Sequence, residues 1–247
     1  MNLPPLLIFF LLAHIIADFY LQSNKMAKMK DESYLWLIGH ALIYDVCIAL
    51  ALFSLVHLSI MDYSYDLLWI FLLMSTSHLA LDYLKRFAGK LKIKRIFTYD
   101  QLAHLAFIAL TWCLWGRHLN VGYIPNEISQ VVLIILGLLI IIRPIGTFIE
   151  RGDWDFNKAD QAKEDESQAS KNASRLIGYL ERIIIYLLLL SGQYTAIAFV
   201  ITAKSIARFP EINDNEKHLQ ANYYIIGTLL SVTSVFAVTI LLGLVNI

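Results

Sequence analysis

Residues 3–21 read LPPLLIFFLLAHIIADFYL. Apart from His14, Asp18 and the Tyr20 hydroxyl, no side chain in this stretch carries a polar group. A helix needs roughly 20 apolar residues to cross a bilayer core about 30 Å thick, and this stretch has that length. It shows no alternation of apolar and polar residues, so a half-buried strand does not fit it. A closed barrel of alternating strands, the other way to cross lipid, fails for the same reason. The stretch therefore reads as a membrane helix that carries two ionisable groups, and those two groups set the functional question.

Working outward, six further blocks have similar length and hydropathy: Leu35–Leu58, Leu67–Leu84, Gln101–Leu119, Val131–Ile149, Ile183–Ala203 and Tyr223–Val245. Hydrophobic residues make up 58% of the 247, and charged residues only 16%. A soluble domain carries about a quarter charged residues, so the composition agrees with the blocks. The expected fold is all-α, a polytopic bundle of about seven transmembrane helices. The net charge of zero excludes a broad basic face for nucleic acid. Cys47 and Cys113 both lie in apolar blocks and read as small buried hydrophobes rather than a disulfide pair. No basic residue precedes the first block, so it is expected to be a retained helix and not a cleaved leader.

The loops sort by charge. Lys25, Lys28 and Lys30 follow the first block, and Lys85, Arg86, Lys90, Lys92, Lys94 and Arg95 follow the third. The loop Ser59–Asp66 has no basic residue. The positive-inside rule places the two basic loops in the cytosol and the N-terminus, Arg117 and the turn 120–129 outside. The polar segment Glu150–Arg175 then falls inside. It divides the chain into an N-terminal membrane bundle (1–149), a polar cytosolic loop (150–175) and C-terminal membrane segments (176–247). In the tail, a full crossing by Ile183–Ala203 leaves Lys204, Arg208 and Lys217 outside, which the charge rule disfavours. A break at Ser191-Gly192-Gln193 would make it a re-entrant hairpin instead. Its length favours the full span. Glu181 and Arg182 then stand at the start of that span, where a carboxylate caps. Gly227, Thr228 and Ser231 put small residues on the last span for close packing.

The ionisable residues of the first four spans are spaced with regularity. His14 and Asp18 are four apart, as are His78 and Asp82, and Asp100 and His104 repeat the spacing in reverse order. Residues four apart share one helix face. His40 stands near the start of the second span, with Asp45 deeper, and Lys85 returns to the face of His78 and Asp82. At 1.5 Å of rise per residue, His14 lies about 12 Å and His78 about 9 Å from the cytosolic ends of their helices. His40 and His104 lie roughly 5–8 Å from theirs. Reversal of order between antiparallel neighbours puts the histidines at one depth. Four helices are thus expected to point His and Asp into one layer near the inner surface.

A charge at mid-bilayer costs at least about 2.5–3.5 kcal/mol, and such residues mark function by default. Imidazole and carboxylate together form a common ligand set for zinc, manganese or iron. The candidate ligands are His14, Asp18, His40, His78, Asp82, Asp100 and His104, enough for one divalent ion with supporting groups or for two. A polar network fixing helix register, without metal or chemistry, explains the same residues, as does a proton or ion pathway.

The segments His14-Ile-Ile-Ala-Asp18-Phe-Tyr-Leu-Gln22-Ser23, His40, His78-Leu-Ala-Leu-Asp82-Tyr-Leu-Lys85 and Asp100-Gln101-Leu-Ala-His104 resemble, in order, a family of uncharacterised bacterial inner-membrane proteins, a domain of unknown function. In longer members a tail is similar too, at Gly178–Arg182, Ala203–Phe209 and Tyr224–Ser231. The resemblance implies a multi-pass protein of the bacterial cytoplasmic membrane. The His/Asp helices also look like those of inner-membrane metal-dependent hydrolases. On that likeness the leading expectation is a hydrolase acting from the cytosolic face, on a phosphate ester of lipid or headgroup type. His14, His78, His104 and Asp82 would hold the metal. Asp18 or Asp100 would bridge or act as general base, and Lys85 would steady the phosphate. The alternatives are an ion- or proton-coupled transporter using the same residues, and a scaffold that holds a partner on its polar loop.

Overall fold

A computed structural model describes residues 4–90, 95–116, 119, 126–151, 168–207 and 218–245. The chain divides into two compact units, Met1–Leu136 and Gly137–Ile247. The division falls inside a helix, ahead of the boundary at 149 that the polar segment suggested. Of the expected loop Glu150–Arg175, residues 152–167 lie outside the described residues, and both its ends are helical. Arg117, Arg208, Lys217, Lys92 and Lys94 also lie outside them.

The described residues of the expected blocks are mostly helical, with breaks at Arg143 and at residues 191–193. Among the described residues, three helical stretches are long and apolar enough to cross a membrane, Tyr34–His57, Asp66–Gly89 and Ile128–Glu150. The apolar helices Pro5–Leu21, Tyr194–Ile206 and Ile225–Leu241 are shorter.

In the first unit, α1 (Pro5–Ile15) begins at a proline, where the missing N–H is one the helix would leave unpaired anyway. Its continuation, Ile16–Leu21, winds as a π-helix, closed by Gln22 N–H donating to the Ala17 carbonyl at 3.1 Å. Such wide turns are frequent at functional sites. A short helix α2 (Asn24–Met29) follows, capped by Ser23, whose hydroxyl accepts from Met26 N–H at 3.1 Å. Then come α3 (Tyr34–His57), α4 (Asp66–Lys90) and α5 (Ile96–Trp115). The fourth expected span therefore ends at Trp115, four residues before its forecast limit.

Helices α1, α3, α4 and α5 pack in a ring, each against two of the others. The apolar core fills one end of that ring with Leu6, Phe10, Ile48, Leu55, Ile70, Met74 and Ile108, all nearly inaccessible. Along α1 and α4 these residues precede the histidines, and along α3 and α5 they follow them. The alternation is what antiparallel neighbours require, and it leaves the opposite end of the ring to the polar residues. On α3 the outward stripe Leu35, Ile38, Leu42, Val46, Leu50 and Phe53 is exposed and wholly apolar, while His40 and Tyr44 face inward.

Helix α6 (Asn126–Ile142), whose residues from Gly137 onward belong to the second unit, stops before Arg143-Pro144, and α7 (Pro144–Arg151) continues the apolar run. Pro144 offers no N–H to the helix before it. The carbonyls released there are taken up by a buried guanidinium: Arg182 Nε donates to Ile141 O at 2.6 Å and Nη2 to Ile142 O at 3.1 Å. Arg182 comes from α8 (Gln168–Leu190), which passes close to Gly146; a Cβ there would stand 2.9 Å from Nη2.

Ile183–Ala203 is not one span. Helix α8 ends at Leu190, Gly192 takes φ 68°, and α9 (Tyr194–Ala207) returns against α8. Glycine meets that left-handed conformation without the Cβ penalty. The Ser191-Gly192-Gln193 break thus outweighs the apolar length. Glu181 lies mid-helix, thirteen residues after the α8 start, so it caps nothing; it pairs with Lys204 across the hairpin. On α10 (His218–Leu241) Gly227 has open space where a Cβ would stand, so close packing at that position is absent.

Candidate metal centre

Every candidate ligand of the first unit meets at the polar end of the ring. His14, His40, His78, Asp82, Asp100 and His104 are buried, and only 4% of the Asp18 side chain is accessible. His78 Nε2 donates to Asp18 Oδ1 at 3.0 Å. His40 Nε2 lies 3.4 Å from the same oxygen and 3.3 Å from Asp82 Oδ2. His14 Nδ1 is 3.9 Å from Asp18 Oδ2, and His78 Nδ1 is 3.9 Å from Asp82 Oδ2. The imidazoles also touch one another: ring centroids are 5.2 Å apart for His14 and His104, 5.2 Å for His40 and His78, and 4.6 Å for His78 and His104.

Two lysines close the set. Lys30 Nζ donates to both oxygens of Asp82, at 2.8 and 3.0 Å. Lys85 Nζ donates to Asp100 Oδ2 at 2.6 Å, and Gln101 Nε2 donates to the same oxygen at 3.2 Å. Lys85 is thus held by Asp100. With neutral imidazoles, three carboxylates face two ammonium groups, so the cluster carries one net negative charge among these residues. Asp45 stands apart, accepting a hydrogen bond from Ser75 that ties α3 to α4.

A divalent ion needs buried donor atoms that the protein itself leaves without hydrogen bonds. Both ring nitrogens of His14, both of His40, Nδ1 of His78, Nε2 of His104 and Oδ1 of Asp100 are buried without a well-formed hydrogen bond among the described residues. Each unpaired group of this kind costs about 1–3 kcal/mol. Some of these nitrogens have a settled role. His104 Nδ1 lies 2.8 Å from the Asp100 carbonyl oxygen, which can only accept. Nδ1 therefore carries a proton, and in the neutral ring Nε2 presents a lone pair. By the same logic, donation from His78 Nε2 to an ionised Asp18 leaves a lone pair on Nδ1. Anchoring one ring nitrogen on a carbonyl or carboxylate is what orients metal-binding histidines.

Three groups bring one donor atom from each member within 4.8 Å of the others: His14, Asp18 and His78; His40, His78 and Asp82; and Asp82, Asp100 and His104. Ligand bonds of about 2.0–2.2 Å set donors roughly 3.3 Å apart around a tetrahedral ion. The separations of His40 Nε2 from the two carboxylates match that spacing. The residues present fit a divalent ion bound by nitrogen and oxygen.

Two members of the site were absent from the sequence reading. Tyr44 stacks on His78 with centroids 3.7 Å apart. It stands four residues after His40, and that spacing was the signal that could have found it. Lys30 was read as a topology charge. Nothing in the local pattern distinguishes it from Lys25 and Lys28, because a fold across α2, not periodicity, brings it to Asp82.

No curated protein and no solved structure matches the chain. The family model DUF3307, described as a protein of unknown function, matches residues 6–132. That span takes in α1 to α5 and every residue of the His/Asp cluster, and it is more than half of the sequence. The chain belongs to the DUF3307 family of proteins of unknown function.

Proposed function

We propose that this chain is a multi-pass protein of the bacterial cytoplasmic membrane that binds a divalent transition metal between α1, α3, α4 and α5. We further propose that it uses the ion to hydrolyse a phosphate ester of lipid or headgroup type from the cytosolic side. The observation that carries this reading is the set of six buried imidazole nitrogens that make no well-formed hydrogen bond among the described residues, gathered around three carboxylates. A structural network would be expected to satisfy its own groups. The apolar outward stripe of α3 supports placement in lipid.

In this reading His40, His78, Asp18 and Asp82 hold the ion, with His14 and His104 completing or extending the shell. The absence of cysteine from the cluster favours zinc, manganese or iron over softer metals. A divalent ion there supplies a Lewis acid and lowers the pKa of water. Asp100 Oδ1 is the proton acceptor best placed in the chain itself, since Lys85 and Gln101 occupy only Oδ2. Lys85 holds Asp100 in position.

A second reading, an ion- or proton-coupled carrier, draws on the burial of every ligand. A small cation needs a narrower path than an ester. The helix break at 191–193 is a feature that carriers also use.

Elemental analysis of protein purified in detergent tests the metal. The expected result is zinc, manganese or iron near one or two ions per chain, lost in His78→Ala. Hydrolysis of a phosphomonoester or phospholipid by the loaded protein, absent in that variant, supports the enzyme. Metal binding with cation uptake into liposomes and no hydrolysis supports the carrier. Protein free of metal after incubation with all three ions would end both metal readings.

A further inference from the structure

We propose that α2 is a lid over the His/Asp site and that Lys30 is a resident counter-cation, displaced when a divalent ion enters. The proposal rests on the metal reading above and adds how the site is loaded.

The segment from Ser23 to Ser33 lies on the surface. None of the residues of α2 is buried, yet Lys30, immediately after it, is only 4% exposed. A lysine is rarely buried this way unless paired. Its stem carries the ammonium inward to Asp82, where it occupies both oxygens. One of those oxygens is also 3.3 Å from His40 Nε2 and belongs to two of the three donor groups a metal could use. An ammonium and a dication on one carboxylate repel each other at close range, in a setting with little water to screen them. The two cations therefore compete for Asp82.

The segment is also built to move as a piece. It is joined to its neighbours by extended backbone, at Gln22 and Ser23 on one side (ψ 109° and 156°) and at Ser33 on the other (φ −123°, ψ 131°). Its outer contacts are of a kind that water and salt can break. Arg86 Nη2 donates to the Glu32 carbonyl at 2.8 Å, and Lys25 lies 5.6 Å over the Trp36 ring. Swinging the segment outward withdraws Lys30 and exposes Asp82 without disturbing the four long helices.

Acetylation of the full-length wild-type protein, read by mass spectrometry at Lys30, tests this with zinc and with manganese. The expected result is a Lys30 protected without metal and modified at least tenfold faster with it, while Lys25 and Lys28 change little. The Lys30→Met variant, which keeps the apolar stem, is expected to bind zinc at least tenfold more tightly. Wild-type protein that binds metal with Lys30 still protected, together with unchanged zinc affinity in Lys30→Met, overturns the lid and leaves the metal site standing. Wild-type protein that binds neither ion overturns the lid and the metal site together.

Discussion

His104 Nδ1 is fixed on the backbone carbonyl of Asp100, one helical turn before it, at 2.8 Å. This bond assigns the proton to Nδ1 and leaves Nε2 as an unpartnered acceptor facing the other imidazoles. A histidine held in this tautomer is prepared to bind a cation and can give nothing to a neighbouring acceptor from Nε2. His104→Ala should therefore weaken zinc binding on the order of 100-fold or more, above the 10–100-fold seen when only a supporting group is lost. Competition with a chromophoric chelator measures it. Unchanged affinity would remove His104 from the ligand set.

His14 offers a test in which stability and binding move in opposite directions. Neither of its ring nitrogens makes a well-formed hydrogen bond among the described residues, Nδ1 lies 3.9 Å from Asp18 Oδ2, and the residue is 1% exposed. Replacing it by leucine removes two buried polar atoms that make no well-formed protein hydrogen bond. The metal-free His14→Leu protein should be more stable by about 1–3 kcal/mol, while zinc binding falls. Stability gained at the expense of a site is the usual signature of a functional residue. Thermal unfolding in detergent, with and without zinc, reads both effects. A destabilised metal-free variant would mean that His14 serves the packing.

Lys85 and Asp100 form a buried pair, with 16% and 3% of their side chains accessible. Removing one member of such a pair strands the other, at about 3–5 kcal/mol. Lys85→Met should lose stability on that scale, and Lys85→Arg much less, since the charge is kept. The double change Lys85→Met with Asp100→Asn should recover most of the loss. A single variant as stable as wild type would show that Asp100 is already neutral.

The legibility of this chain divides along the same line as its physics. Helix and span positions follow from hydropathy, which acts residue by residue, and the four His/Asp helices could be read because period and order survive in the sequence. His14 with Asp18, and His78 with Asp82, share faces by spacing alone. Lys30 could not be found this way, since its partner is 52 residues distant and α2 has no apolar stripe to reveal its path. The break after Leu190 was visible as Ser191-Gly192-Gln193, but length was given more weight than the glycine. The length argument assumes one helix, and Gly192 at φ 68° ends it. Arg182 looks like the start of a span because α8 begins in a polar stretch, where hydropathy gives no signal.

Arg182 is expected to act on the fold alone. Its guanidinium satisfies the carbonyls of Ile141 and Ile142 at the α6 terminus. A hydrogen bond from a charged donor contributes roughly 1.5–3 kcal/mol, so Arg182→Leu should destabilise the protein by about 3 kcal/mol or more. Arg182→Lys should recover only part, because an ammonium lacks the planar fork that reaches two carbonyls. Zinc affinity should stay within twofold of wild type, since the change lies in the second unit. Loss of zinc binding in a folded Arg182→Leu protein would give this residue a functional role.

Gly137 and Tyr186 give the sharpest packing test in the second unit. A Cβ at position 137 would stand 2.3 Å from the Tyr186 hydroxyl oxygen and 3.0 Å from Cζ. Tyr186 is fully buried, so its ring has little room to retreat. Gly137→Ala should cost about 1–3 kcal/mol, the range for an overpacked interior, even though alanine is the better helix former. Tyr186→Phe removes the atom at 2.3 Å and leaves the contact at 3.0 Å, so the double variant should be more stable than the sum of the two single changes predicts. Contacting residues couple by about 0.5–3 kcal/mol in such cycles. Strict additivity would mean that α8 shifts to make room and that glycine at 137 is not what sets its approach.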